Sequence, residues 1–165
     1  MKIGMADSTN FKFCKDLKEY WEKTHEVQAE IGGSEFIAQW ADFYYIDWYD
    51  NNIHYLFNWY KEHPDAKKPK FAVRAIDVDV WQRGIRDQTI VDFVDYWICI
   101  APHIEKWLHQ EKDDTTGELI NWRNKLHLIR PGVNLERFTL KEKKTDGFQI
   151  GMVLGDMWWY KNHMA

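Results

Sequence analysis

Lys125-Leu-His-Leu-Ile-Arg-Pro-Gly-Val-Asn-Leu-Glu-Arg-Phe138 is the stretch on which the fold turns. Residues 125–129 make a short apolar strand. Arg130-Pro131-Gly132 stops it, because proline offers no N–H to a ladder and glycine lets the chain turn. A second segment runs to Phe138, and after the charged run 140–147 a new apolar run, Phe148-Gln-Ile-Gly-Met-Val-Leu-Gly155, begins. Strand, linker and strand in that order join two domains. The boundary predicted here puts one domain at 1–138, hinge included, and the start of a second, incomplete one at 139–165.

Upstream of that stretch, strands alternate with helices. Lys2-Ile-Gly-Met-Ala6 leads into the turn and capping residues Asp7-Ser-Thr-Asn10. An amphipathic helix follows to about Lys23, with Phe13, Leu17, Tyr20 and Trp21 on its inner face. Thr24-His-Glu-Val27 enters a second strand, and Gly32-Gly33-Ser34 turns the chain and caps a short helix ending at Trp40. Ala41-Asp-Phe-Tyr-Tyr-Ile-Asp-Trp48 is rich in the aromatics that favour a pleated sheet. A helix from about Ile53 to Glu62 stops at His63-Pro64, and Lys70-Phe-Ala-Val-Arg-Ala-Ile76 is the fourth strand. A helix over 82–93 precedes the strand Asp95-Tyr-Trp-Ile-Cys-Ile-Ala101, and Pro102 opens another helix. Residues 113–117 are a polar loop. This alternation predicts an α/β fold, a Rossmann-like parallel sheet with helices on both faces.

Bulk properties narrow the function. A chain of 165 residues holds one well-buried domain and the start of another. Its formal charge of -4 argues against a nucleic-acid partner, whose binding surface is strongly basic. Cys14 and Cys99 lie far apart without ligand spacing, which fits reduced thiols in the cytoplasm. No apolar run reaches the ~20 residues of a transmembrane helix. The 10 tryptophans are read first as core material, and second as platforms for sugar rings.

Open parallel sheets bind ligands beyond the carboxyl ends of their strands. That rule selects Asp7 and Ser8 after the first strand, Asp50 and Asn51 after the third, Arg74, Asp77 and Asp79 after the fourth, and His103 after the fifth. Carboxylates there can accept hydrogen bonds from hydroxyl groups. An ion pair between Arg74 and a neighbouring acid is the structural alternative, and His103 reads first as a surface histidine at a helix start. Asp77 and Asp79 lack a third ligand, so no metal is expected. Lys161 lies just inside a helix that opens after Gly155, where a lysine and free N–H groups can grip a diphosphate. No nucleophile elbow, P-loop or dinucleotide fingerprint occurs.

Arg130-Pro-Gly-Val-Asn-Leu-Glu-Arg-Phe138 resembles the interdomain hinge of the GT-B glycosyltransferases, family 4 in particular. Gly155-Asp-Met-Trp-Trp-Tyr-Lys161-Asn162 resembles that family's phosphate-gripping turn, Thr24-His-Glu-Val27 its entry into the second strand, and the 95–101 strand its counterpart with Ala101 for serine. The resemblance implies transfer of a sugar from a nucleotide-diphosphate donor to an acceptor hydroxyl, with retained configuration and no cofactor beyond the donor. It assigns Gly155, Lys161 and Asn162 to the donor phosphates. Arg74, Asp77 and Asp79 become catalytic-cleft residues, with Asp7, Ser8, Asp50, Asn51 and His103 on the acceptor side. Asp156 departs from the usual arginine, the 74–76 loop lacks the usual histidine, and the family's paired-glutamate donor motif is absent. The expectation is therefore a fragment, inactive by itself. The rival reading is a non-catalytic α/β module that holds a glycan or a protein; there an exposed 148–154 strand predicts a partner chain or self-association.

Overall fold

The computed structural model describes residues 1–12, 14–76 and 79–132. Within Met1–Gly132, a compact unit, six strands form one sheet: β1 (Lys2–Asp7), β2 (Glu26–Ile31), β3 (Phe43–Asp47), β4 (Lys70–Ala75), β5 (Tyr96–Cys99) and β6 (Leu126–Leu128). Their order is β2-β1-β3-β4-β5-β6, and every neighbouring pair is parallel. The fold is α/β and Rossmann-like, as the alternation predicts. The apolar run 148–154, the hinge beyond Gly132 and the whole 139–165 domain lie outside the described residues.

Helices α1 (Lys15–Trp21), α2 (Glu35–Trp40), α3 (Asn51–Glu62), α4 (Gln88–Phe93) and α5 (Pro102–Leu108) connect the strands. Most begin at residues that the sequence marks. Ser34 Oγ accepts from Ile37 N, and Asp50 accepts from Asn52 N at 2.9 Å. Pro102 sits in the first turn of α5, where its missing N–H costs nothing.

One sheet face is buried beneath α2 to α5. Tyr44, Ile46, Phe71, Val73, Trp97 and Cys99 meet Ile53 and Leu56 of α3, Ile90 of α4 and Ile104 of α5 there. The opposite face is smaller: Ile3, Met5, Tyr45 and Ala72 pack with Leu17 and Trp21 of α1. Because strand side chains alternate, Asp7, Asp47 and Arg74 belong to this second face. The register sets them side by side, Asp7 opposite Asp47 and Asp47 opposite Arg74.

Two expectations require correction. Tyr20 points outward at 65% exposure, because α1 is only two turns long and its inner face is taken by Leu17 and Trp21; Phe13 lies outside the described residues. The continuous helix over 82–93 is also replaced. A π-helical turn, Asp79–Arg83, ends at Gly84 (φ 69°), and α4 starts only at Gln88, capped by Asp87. Gly84 is favoured by its left-handed φ; a Cβ there would fall 2.6 Å from Arg86 Nε, the end of a flexible side chain that can move aside.

Tryptophan serves the core, as expected first. Trp97 and Trp122 are buried, their rings edge to face at 5.6 Å, and the Trp122 indole donates to Leu108 O at 2.9 Å. Cys14 and Cys99 are free and buried. No helix among the described residues is long and apolar enough to cross a membrane.

Candidate functional site

The connection β1 to β2 runs one way along the sheet and β2 to β3 returns past it, so strand order reverses between β1 and β3. Loops diverge at such a point and leave a crevice beyond the strand tips. Asp7 and Asp47, the last residues of those two strands, are fully buried there. Asp7 accepts from Thr9 Oγ1 at 2.7 Å and from Cys14 Sγ at 3.3 Å. Asp47 accepts from Tyr45 Oη at 2.9 Å and from Arg74 Nη2 at 2.8 Å. Arg74 Nε comes to 2.6 Å from Asp47 Oδ1 but off the bonding line, so the pair joins one hydrogen bond to one close charge contact.

This row is a structural knot first. Burial pushes the Asp47 carboxyl up and the Arg74 guanidinium pulls it back. Burial, then Asp47, holds the Cys14 thiol far above its ordinary range, so the sulfur stays protonated. Asp7, Cys14 and Asp47 bring one ligand atom each within 4.8 Å of one another, a grouping their sequence spacing conceals. The Arg74 guanidinium already supplies the positive charge that Asp47 needs. The backbone is contorted nearby: Asn10 and Phe11 (both φ 58°) follow β1, and Trp48 (φ 93°) follows β3. For a residue as bulky as tryptophan this costs on the order of 1–3 kcal/mol, a pattern concentrated at functional sites.

The open volume lies one strand further along. A cleft of about 510 Å³ is walled by Tyr49, Asp50, Asn51 and His54 after β3, by Arg83, Gly84, Arg86 and Asp87 after β4, and by Asp114 and Thr115. Its third wall is tied down. Asp114 N donates to Arg86 O at 2.9 Å. Asp113 accepts from Gln88 N at 2.8 Å and from Thr116 N at 2.8 Å. Those N–H groups, Gln88 first, hold the Asp113 carboxyl below its ordinary value.

Asp79 secures the cleft from beneath. Fully buried, it accepts through Oδ2 from Tyr49 N at 3.1 Å and Ile76 N at 3.2 Å, while Arg83 Nη1 stands 3.8 Å from its Oδ1. Burial raises its pKa to about 6 despite those donors. Arg83 Nη1 also donates to Tyr49 O at 2.9 Å. Tyr49 is in ring contact with His54 at 5.2 Å; burial, then Asp87, pushes its phenol up to about 12, and burial pushes the His54 imidazole down.

The sequence-selected residues are dispersed accordingly. Asp50 and Asn51 line the cleft. Asp79 and Arg74 are engaged in internal pairs beside it, and the ion-pair alternative for Arg74 is the arrangement observed. Asp7 is buried in the knot and Ser8 is exposed above it. His103 stands exposed at the start of α5, edge-on to Trp107 at 5.1 Å. Asp77, Gly155, Lys161 and Asn162 lie outside the described residues. His54, Arg83, Arg86, Asp87, Asp114 and Thr115 escaped sequence reasoning, three of them, Arg83, Arg86 and Asp87, because 82–93 was read as one helix, and Asp114 and Thr115 because 113–117 was read as a surface loop. The Gly84 break followed by the Asp87-Gln-Thr cap was the available signal.

No family model matches the chain, and no curated protein or solved structure matches it either. The fold and the cleft themselves are thus the basis for assigning a class.

Proposed function

We propose that the chain is the acceptor-side domain, hinge and beginning of the donor-binding domain of a GT-B glycosyltransferase, which transfers a sugar from a nucleotide-diphosphate donor to an acceptor hydroxyl. The observation that carries this is the open polar cleft beyond the carboxyl ends of β3 and β4. Its volume falls in the range of small-ligand sites, and carboxylates, guanidinium groups and an imidazole face into it. Supporting it are the 130–138 and 155–162 motifs, which give the hinge and the donor-phosphate grip of the resembled family.

In this reading the acceptor hydroxyl lies in the cleft near Asp50 and Asn51. Asp79 holds the cleft's shape and Arg74 that of the neighbouring knot, rather than either touching the sugar, since both are engaged internally. The donor's diphosphate is assigned, by the resemblance, to Gly155, Lys161 and Asn162, which lie outside the described residues. Rate enhancement comes from positioning the two substrates and stabilising the departing diphosphate.

Transfer of radiolabelled sugar from a panel of uridine, guanosine and adenosine diphosphate sugars tests the proposal. It is measured on the 165-residue chain and on the chain continued into a donor-binding half. Transfer is expected with the second half present, falling at least ~10-fold in Lys161→Ala, the range of a lost charge-stabilising group. Absence of transfer in both forms, with glycan binding retained, would establish a binding module instead.

A further inference from the structure

The charges around the cleft allow its ligand class to be narrowed. Asp50, Asp87 and Asp114 line it, against Arg83 and Arg86. Each guanidinium already answers a carboxylate outside the lining. Arg83 faces the buried Asp79 and donates to Tyr49 O, and Arg86 Nε donates to Glu111 Oε2 at 2.7 Å. The three lining aspartates outnumber those two cations, and only Asp114 couples to one of them, Arg86, without a close ion pair among the described residues. Asp50 and Asp87 spend oxygens on capping α3 and α4, bonds to neutral N–H groups that leave the carboxylate charge in place. His54 adds none at neutral pH, because burial lowers its pKa.

We propose that this cleft selects an uncharged polyhydroxyl ligand, a neutral saccharide, and rejects a phosphorylated one; the identity of that ligand as the acceptor rests on the transferase reading above. A saccharide's hydroxyls donate to Asp50, Asp87 and Asp114, and the unused N–H groups of Arg83 and Arg86 donate to its oxygens. A phosphate dianion would instead meet three carboxylates around the cleft, whose summed field repels it. The phosphate-binding task of a transferase then belongs outside this cleft.

The test is a ¹H–¹⁵N NMR titration of the full chain at low salt. Methyl glucoside, methyl galactoside and methyl mannoside are the neutral probes, with glucose 6-phosphate as the anionic one. At least one neutral glycoside is expected to shift the amides of Asn51, His54, Gly84 and Thr115 saturably, with glucose 6-phosphate binding ~10-fold or more weaker, a gap set by charge. Asp114→Asn should narrow that gap by favouring the phosphate, and so should high salt on the unaltered chain, which needs no variant to fold. Equal or tighter binding of glucose 6-phosphate, or no neutral glycoside moving those amides, overturns the proposal. Failure of the transfer assay while neutral sugars still bind removes the transferase reading and leaves this one standing. Transfer onto a phosphorylated acceptor does the reverse.

Discussion

Asp79 holds an unfavourable position for an acid: no exposed surface, two backbone N–H donors, and one guanidinium 3.8 Å away. Burial wins over the donors, raising its pKa from 3.8 to about 6. The folded carboxyl therefore binds its proton more tightly than the unfolded one. Its contribution to stability is greatest below pH 3.8, falls as pH rises through about 6, and is constant beyond. Urea unfolding of the parent and of Asp79→Asn from pH 4 to 7 should show the difference between them changing by roughly 2–3 kcal/mol across that window. A pH-independent difference would mean that the carboxyl is ionised throughout. Single residues of this kind were only half legible in the sequence. Asp79 could be placed near a strand tip, yet its burial depends on a π-helical turn that spacing does not announce. Arg74 was legible as one of two things, a cleft residue or an ion-pair partner. Only the register, which sets residue 74 opposite residue 47, decided between them.

At the scale of elements, α4 shows how a short helix is held. Its six residues are too few to be stable alone. Asp87 caps one end, and at the other Lys125 Nζ donates to the carbonyls of Val91 (3.1 Å), Asp92 (2.6 Å) and Val94 (2.8 Å). One ammonium thus answers three orphan acceptors at a helix C-terminus. Lys125→Met keeps the stem and removes the donors; a loss of about 1–2 kcal/mol in urea unfolding is expected. A change near zero would show that water replaces the ammonium fully. Helix starts were readable, because Ser34, Asp50 and Pro102 carry local signals. The break at Gly84 was readable too, since a glycine followed by the Asp87 cap marks a new helix start, yet 82–93 was read as one helix. Lys125 was not, since its partners lie over thirty residues earlier.

For the molecule as a whole, both cysteines report on cooperativity. Cys14 lies against Asp7 beneath the α1 loop, and Cys99 sits in the main core with its thiol pushed up to about 11 by burial. Reaction with an aromatic disulfide reagent at mildly alkaline pH should be at least ~10³-fold slower in the native chain than in urea, because labelling waits for opening. Fast labelling of Cys14 alone would show that the switch-point knot opens independently of the core. Alternating strands and helices made the class of fold legible over the described residues. Strand order was not, since it is set by long-range packing. The row Asp7–Asp47–Arg74 was invisible for the same reason: residues forty and twenty-seven apart in sequence become neighbours only once the sheet exists.

The cleft is walled by three separate segments that lie outside the strands, two of them tied together by the bond from Asp114 N to Arg86 O. Such an arrangement uncouples inheritance of the scaffold from inheritance of taste. Substitutions at Asn51, Asp114 or Thr115 can retune what is admitted without touching the buried sheet, so lineages carrying this framework are free to diversify their recognition while keeping the same skeleton.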